Sequence, residues 1–183
     1  LDNLTTLLVL PCGSGKTPVG IGLYLEALER NIIEGRGVIV VKASLKTQWA
    51  KEVEKFSDLR PTIIQTSKDI TSLIRAKIAR LEGRIKRLPT SNKDLLRELE
   101  SEIAALSREA RSKFKEQFEN ADLLIMNYET LNDVKVRSEL HRIKPQFFFV
   151  DEIHYAKGSE TDRSKSLCEF ADVKIKAGAT ATP

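Results

Sequence analysis

The sequence predicts an α/β domain of the doubly wound kind, a mostly parallel sheet with helices on both faces. Three observations carry this expectation. Short apolar runs bounded by Gly, Pro or polar residues alternate with segments of helical period. The first run opens into a glycine-rich turn that leads straight into a helix. A later run, Phe147 to Val150, ends in two adjacent carboxylates, Asp151 and Glu152. Strands alternating with helices pair in parallel and are buried on both faces, which is why they read as continuous apolar runs.

Leu4 to Leu10, stopped by Pro11, is the first strand, and a helical pattern runs from about Pro18 to Gly35. Val38 to Val41 is the second strand. Ser44 is placed to cap the next helix, on which Leu45, Trp49, Val53 and Phe56 share one face. Residues 62–66 form a third strand, followed later by Leu123 to Met126 and Phe147 to Val150. A helix is expected from about Glu129 to Ile143 and another from Ser159 to Phe170, with Val173 to Ala177 as the last strand.

One stretch departs from this rhythm. Ile70, Ile74, Ile78, Leu81, Ile85 and Leu88 step by threes and fours, and after Pro89-Thr90 the spacing resumes at Leu95, Leu99, Ile103, Leu106, Ala110 and Phe114. Ser91 with Asp94 has the form of a capping box. The pattern predicts an antiparallel helical hairpin over about 68–118, roughly 30 Å or more long at about 1.5 Å per residue. Its outer faces are too polar for a core, so it is expected to protrude.

The chain has 183 residues, enough for one domain with a real core. No apolar run approaches the roughly 20 residues needed to cross a bilayer, so no membrane partner is expected. The first residues lack a secretion signal, and the two cysteines, Cys12 and Cys168, lie far apart without a pairing pattern. A reduced, cytoplasmic setting follows. The net charge of +4 is compatible with a nucleic-acid partner without demanding one.

The segment L-P-C-G-S-G-K-T at 10–17 lies between a strand and a helix, the setting of a phosphate-binding loop. Gly13, Ser14 and Gly15 let the backbone turn its N–H groups toward a phosphate, and the helix N-terminus adds its positive end. Lys16 supplies a point charge for the β- and γ-phosphates of ATP, and the Thr17 hydroxyl is a ligand for Mg²⁺. Leu10 stands where the strict motif has its first glycine. Cys12 reads as a small buried filler or a redox switch.

Asp151 and Glu152 lie at the carboxyl end of a buried strand, where α/β sheets build sites. Asp151 is the second candidate to hold Mg²⁺, and Glu152 the group that orients and deprotonates the attacking water. Lys16, Asp151 and Glu152 are thus the catalytic candidates. His154 and His141 have no Cys or His nearby in sequence, so a zinc site is not expected. In the G-A-T-A-T-P run, Thr180 and Thr182 end the last strand where hydroxyls can sense a γ-phosphate.

In this order the motifs resemble the first RecA-like lobe of superfamily 2 helicases and translocases: G-S-G-K-T at 13–17, D-E-I-H at 151–154 and G-A-T-A-T-P at 178–183. V-I-V-V-K-A-S-L-K-T-Q-W-A-K-E-V-E-K-F at 38–56 and I-M-N-Y-E-T-L at 125–131 resemble segments of the Swi/Snf-like branch. Ala43 stands for a usual proline and Asn127 for a threonine, and the loop lacks a D-E-x-G-x-G-K-T form. These departures favour a bacterial or phage-type translocase over a nucleosome-directed enzyme.

The resemblance implies an ATP-dependent motor lobe moving on DNA, double-stranded in this branch, with RNA or single-stranded DNA as the alternative track. It implies nucleic-acid contacts at Ser44, Lys46, Gln48, Trp49, Asn127, Tyr128 and Glu129, and coupling between nucleotide and track through His154, Thr180 and Thr182. It further implies a second RecA-like lobe of the same polypeptide that completes the ATP site, so the isolated lobe is expected to be a weak ATPase and the chain a piece of a longer enzyme. Two positions keep a second reading: Trp49 lies on the apolar face of its helix and fits the core, and Ser44 fits a simple cap. The hairpin is open between a protein-docking arm, a nucleic-acid contact and a passive insertion.

Overall fold

Six strands form one sheet in the order β1-β6-β5-β2-β4-β3, every pair parallel. In chain order these are β1 (Leu4–Val9), β2 (Gly37–Val41), β3 (Pro61–Ile63), β4 (Leu123–Asn127), β5 (Phe147–Asp151) and β6 (Ile175–Thr180). The helices are α1 (Lys16–Glu29), α2 (Lys46–Phe56), α3 (Ser67–Ile85), α4 (Lys93–Glu119), α5 (Tyr128–Leu131), α6 (Val134–Ile143) and α7 (Asp162–Cys168). The computed structural model describes residues 4–11, 13–89, 91–156 and 161–181. The chain divides into two units, Leu1–Ile64 with Gln117–Pro183, and Gln65–Glu116.

The sheet unit is built around β2 and β5, both buried at every residue. Alternation along the strands sends Ile39, Val41, Phe147, Phe149, Leu123 and Ile125 to one face, where they pack with Ile21, Tyr24 and Ala27 of α1 and Trp49 and Val53 of α2. Val38, Val40, Leu124, Met126, Phe148 and Val150, equally buried, take the other face, and there Phe148 stacks on Phe170 at 5.2 Å. Close approach between layers is set by small residues. A Cβ on Gly20 would come within 2.9 Å of the Phe149 ring. The Tyr24 hydroxyl ties α1 to the residues before β2 and β4, donating to the carbonyls of Gly35 and Asp122 at 3.1 Å each.

Several boundaries move from their sequence expectation for local reasons. α1 starts at Lys16, two residues before Pro18, because Pro18 falls in the first turn, where a backbone N–H has no intrahelical acceptor. The single helix expected over 129–143 is two. Asn127 caps α5 through its side chain, and Asp133 restarts the helix by accepting from the Lys135 and Val136 amides at 2.9 and 3.2 Å. Ser44 does not cap α2. It lies exposed within a 3₁₀ turn, Ala43–Leu45, that runs directly into the helix, so the N-cap is Leu45. Phe56, expected on the buried face, is 48% exposed at the helix end under the Lys55 ammonium.

In the second unit, Ile70 and Leu81 of α3 and Leu99, Ala110 and Phe114 of α4 are buried. They are seam positions of the expected pattern. The short connection, and Glu109 of α4 lying near Lys77 of α3, agree with an antiparallel pair. The capping box is found on α3, where Thr66 and Asp69 exchange side-chain and backbone bonds. α4 begins at Lys93, one residue later than a Ser91 cap requires.

The Gly20 contact gives a direct check on the sheet unit. Gly20→Ala should cost about 1–3 kcal/mol, read by chemical denaturation, because the Phe149 ring is walled in and cannot yield cheaply.

Candidate active site at the carboxyl edge of the sheet

The order β1-β6-β5 places three carboxyl ends side by side, so residues far apart in sequence converge. After β1 the chain turns through Gly13 (φ 78°) and Gly15 (φ 88°), left-handed conformations that glycine adopts without strain. Ser14 closes the turn, its hydroxyl donating to the Pro11 carbonyl at 2.7 Å. Gly15 is the N-cap of α1, whose first turn holds no acidic residue. The helix end is therefore electropositive and faces a cleft of about 370 Å³. Gly13, Gly15, Lys16 and Thr17 line one side of this cleft, Asp151 and Glu152 another, and Leu45, Gln48, Trp49 and Glu52 of the α2 region a third.

Lys16 bridges the cleft: its Nζ lies 3.0 Å from Glu152 Oε1 and 3.4 Å from the Leu10 carbonyl. The other Glu152 oxygen accepts the Ala181 N–H at 3.4 Å and lies 3.2 Å from His154 Nδ1. His154 Nδ1 is also 3.0 Å from Thr180 Oγ1. Glu152 holds φ of 51°, a left-handed conformation that is costly for a side-chain-bearing residue and aims its carboxylate back over the strand end. Burial pushes the Glu152 carboxyl up, but Lys16, the Ala181 N–H and the charge of His154 outweigh it and hold the group below the usual range.

Asp151 behaves in the opposite way. It is 5% exposed, and burial, with Glu152 beside it, holds its carboxyl above the usual range against the Trp49 bond and the Lys16 charge. Oδ2 accepts the Trp49 indole N–H at 3.4 Å, while Oδ1 is buried with no hydrogen-bond partner. An unmatched buried carboxylate oxygen beside a Lys, a Thr hydroxyl and a helix N-terminus fits a hard, oxygen-seeking dication such as Mg²⁺. Among the described residues no group of three or more His, Cys, Asp and Glu is placed to hold a metal alone, so phosphate or water oxygens would have to complete the shell.

The remaining expected residues are placed as follows. Thr180 and His154 are brought together with Glu152, while Thr182 and Cys12 lie outside the described residues. Trp49 and Tyr128, expected at a nucleic-acid surface, are 1% and 3% exposed. Trp49 packs on Phe149 at 5.4 Å, and the Tyr128 hydroxyl donates to the backbone carbonyls of Asp151 and Glu152 at 2.8 and 3.2 Å. Both are braces of the acidic strand end. Gln48 faces the cleft with the phosphate loop. Asn127 is engaged as the α5 cap and with Glu129, and Glu129 pairs with Arg163 at 2.8 Å. Ser44 is exposed and Lys46 half-buried. The sequence reading missed Glu52, which one turn of helix places beside Trp49, and the Ala181 N–H.

A parallel α/β sheet with a phosphate loop after its first strand and an acidic pair after its fifth has the architecture of a helicase-type RecA-like lobe. The family model described as type III restriction enzyme, res subunit, matches residues 2–183, and the chain belongs to that family. The fold recurs in the Sulfolobus solfataricus SWI2/SNF2 ATPase core in complex with dsDNA, at a TM-score of 0.60 and 16% identity over 99% of this chain and 28% of that one. It recurs in the Pyrococcus furiosus Hef helicase domain, at 0.60 and 14% over 100% and 30%. It is found again in a hypothetical ATP-dependent RNA helicase from Sulfolobus tokodaii, at 0.56 and 14% over 98% and 42%. The chain thus spans less than half of each of these structures. No curated protein matches it in sequence. Fold and family agree with the first RecA-like lobe of superfamily 2, a helicase-type ATPase lobe.

Two outcomes follow from the carboxylates. Asp151→Asn should stabilise the ligand-free protein by about 1–3 kcal/mol, because it removes a buried, incompletely matched charge. The folded protein binds the Asp151 proton more tightly than the unfolded chain. Its contribution to stability is therefore greatest at low pH and is lost as pH rises through the raised folded value. The gain from Asn should accordingly shrink toward zero in melts taken below the ordinary carboxylate range. Glu152→Gln should weaken the grip on Lys16, so a non-hydrolysable nucleotide is expected to bind several-fold more tightly in calorimetric titration while hydrolysis is lost.

Proposed function

We propose that the lobe binds ATP with Mg²⁺ and hydrolyses it to drive movement along double-stranded DNA. The observation that carries the hydrolytic part is the 3.0 Å bridge from Lys16 to Glu152 across the cleft. The cation that would meet phosphate and the carboxylate that would activate water are partners across one cleft. Entering phosphates compete for Lys16, and Glu152 is left with His154 and the Ala181 N–H as partners. A free Glu152 carboxylate is then oriented to accept a proton from water. Thr17 and Asp151 are the residues that would hold Mg²⁺, which when bound offsets phosphate charge. His154 and Thr180 link the end of β6 to Glu152, a contact suited to reporting the state of the nucleotide.

The DNA track is supported by the Swi/Snf-like segments at 38–56 and 125–131 and by the fold shared with a SWI2/SNF2 core in complex with dsDNA. Ser44 and Lys46, at the carboxyl edge of β2, are the contacts we retain for the tracked strand. The reading includes a second RecA-like lobe that supplies charge to the γ-phosphate, a contribution of roughly 10³- to 10⁵-fold in related phosphoryl transfer, so the lobe alone is a weak ATPase.

ATP turnover of the full-length protein, measured with no nucleic acid, duplex DNA, single-stranded DNA or RNA, tests this. Strong stimulation by duplex DNA, abolished in Lys16→Ala, is the expected outcome. Stimulation by RNA alone would replace the track with RNA, in line with the RNA helicase neighbour. Fast turnover indifferent to all three would remove the nucleic-acid claim.

A further inference from the structure

The excess positive charge of this chain is concentrated in one unit. Of 30 Lys and Arg and 26 Asp and Glu, residues 65–116 hold 13 and 8, leaving 17 and 18 for the rest. The second unit is therefore at +5 and the sheet unit at −1. Within the second unit the charge is again uneven. The part of α4 inside this unit carries six basic and six acidic residues, whereas α3 with Lys86 and Arg87 carries seven basic and two acidic.

On α3 four of these cations form a stripe. Lys77, Arg80 and Arg84, with Arg87 in the turn that follows, recur at steps of three, four and three, all within about 80° of arc and about 15 Å of rise. The turn keeps helical bonding, the Arg87 N–H donating to the Arg84 carbonyl at 3.1 Å. All four side chains are exposed. The two acids of the helix do not neutralise them. Asp69 is consumed by the capping box, and Glu82 points about half a turn away from the stripe. From α4, Glu109 lies near enough to Lys77 to feel its charge but is paired with Lys113 at 2.7 Å. Among the described residues none of the four is in an ion pair with an acid. The apolar seam of α3 points elsewhere, so the stripe has no part in packing the helices together.

We propose that Lys77, Arg80, Arg84 and Arg87 form a contact for the phosphate backbone of duplex DNA, accessory to the track proposed above and resting on that reading. About 15 Å of duplex axis presents four to five phosphates per strand at about 3.4 Å each, which matches four cations in a row. Guanidinium groups, three of the four, are suited to phosphate oxygens. α3 has no aromatic residue on which unstacked bases could lie, which sets the stripe apart from a single-strand platform. Contacts of this kind position a protein on the duplex and carry no sequence information.

The test is the salt dependence of duplex binding by the full-length protein and by a variant with Lys77→Gln, Arg80→Gln, Arg84→Gln and Arg87→Gln. Gln keeps helix propensity, so α3 should still form. The slope of log affinity against log salt should become shallower by about three, with affinity down roughly ten- to a hundredfold, and nucleotide affinity unchanged. Exchanging Lys for Arg and Arg for Lys at the four positions should keep the slope. Duplex binding with an unchanged slope would overturn this proposal and leave the motor reading standing. An equal loss on a single strand of the same length would overturn the assignment to duplex. A wild-type protein that binds no duplex would remove the motor reading and this contact with it.

Discussion

The buried carboxylate of Asp151 is the constraint around which the sheet unit is organised. A charge at the end of a fully buried strand is costly unless the surroundings meet it, and here they meet it only in part. Trp49 reaches it from α2 with one N–H, and Tyr128 holds the backbone beside it through two carbonyls. One oxygen is left buried without a hydrogen-bond partner. The aromatic pair thus does for the acidic strand end what second-layer residues do around metal sites. It fixes orientation and leaves one oxygen unpaired. Glu152 is set by the opposite device, a left-handed backbone that brings its carboxylate to Lys16, His154 and the Ala181 N–H.

Much of this was legible in the sequence because it depends on local pattern. Continuous apolar runs gave β2, β4 and β5, and the strand–glycine turn–helix context gave the phosphate loop. The pairing of the phosphate loop with the acidic pair followed from a rule about the carboxyl ends of parallel strands. The details that failed are those decided between segments. Tyr128 resembles a surface residue in its motif yet is buried, while the burial of Trp49 agrees with its place on the apolar face of its helix and not with the nucleic-acid contact that the resemblance implies. Ser44 has the chemistry of a cap, but the chain enters α2 through a 3₁₀ turn that leaves no position for one. The caps that do operate, Thr66, Asn127 and Asp133, depended on where each helix in fact begins.

The two units divide the chemistry of the chain between them. The residues proposed for nucleotide lie in the sheet unit, which is close to neutral, and the surplus of positive charge lies on α3 and the turn after it. The periodicity of α3 and α4 showed only that they pair. The proposed DNA contact rests on the charges outside that seam, where a basic stripe survives because one acid is spent on a cap and the other faces away.

Asp151, Glu152 and Lys16 are proposed to form one nucleotide site with Trp49 as its wall. Trp49 is the only tryptophan of the chain, and its indole N–H donates to the carboxylate proposed to hold the metal. The indole N–H resonance of Trp49, followed while ATP is added with and without Mg²⁺, therefore reads the site directly. A saturable shift with Mg²⁺ present, lost in Asp151→Asn, is the predicted result. Nucleotide binding that leaves this resonance unmoved would place the nucleotide elsewhere and contradict the account.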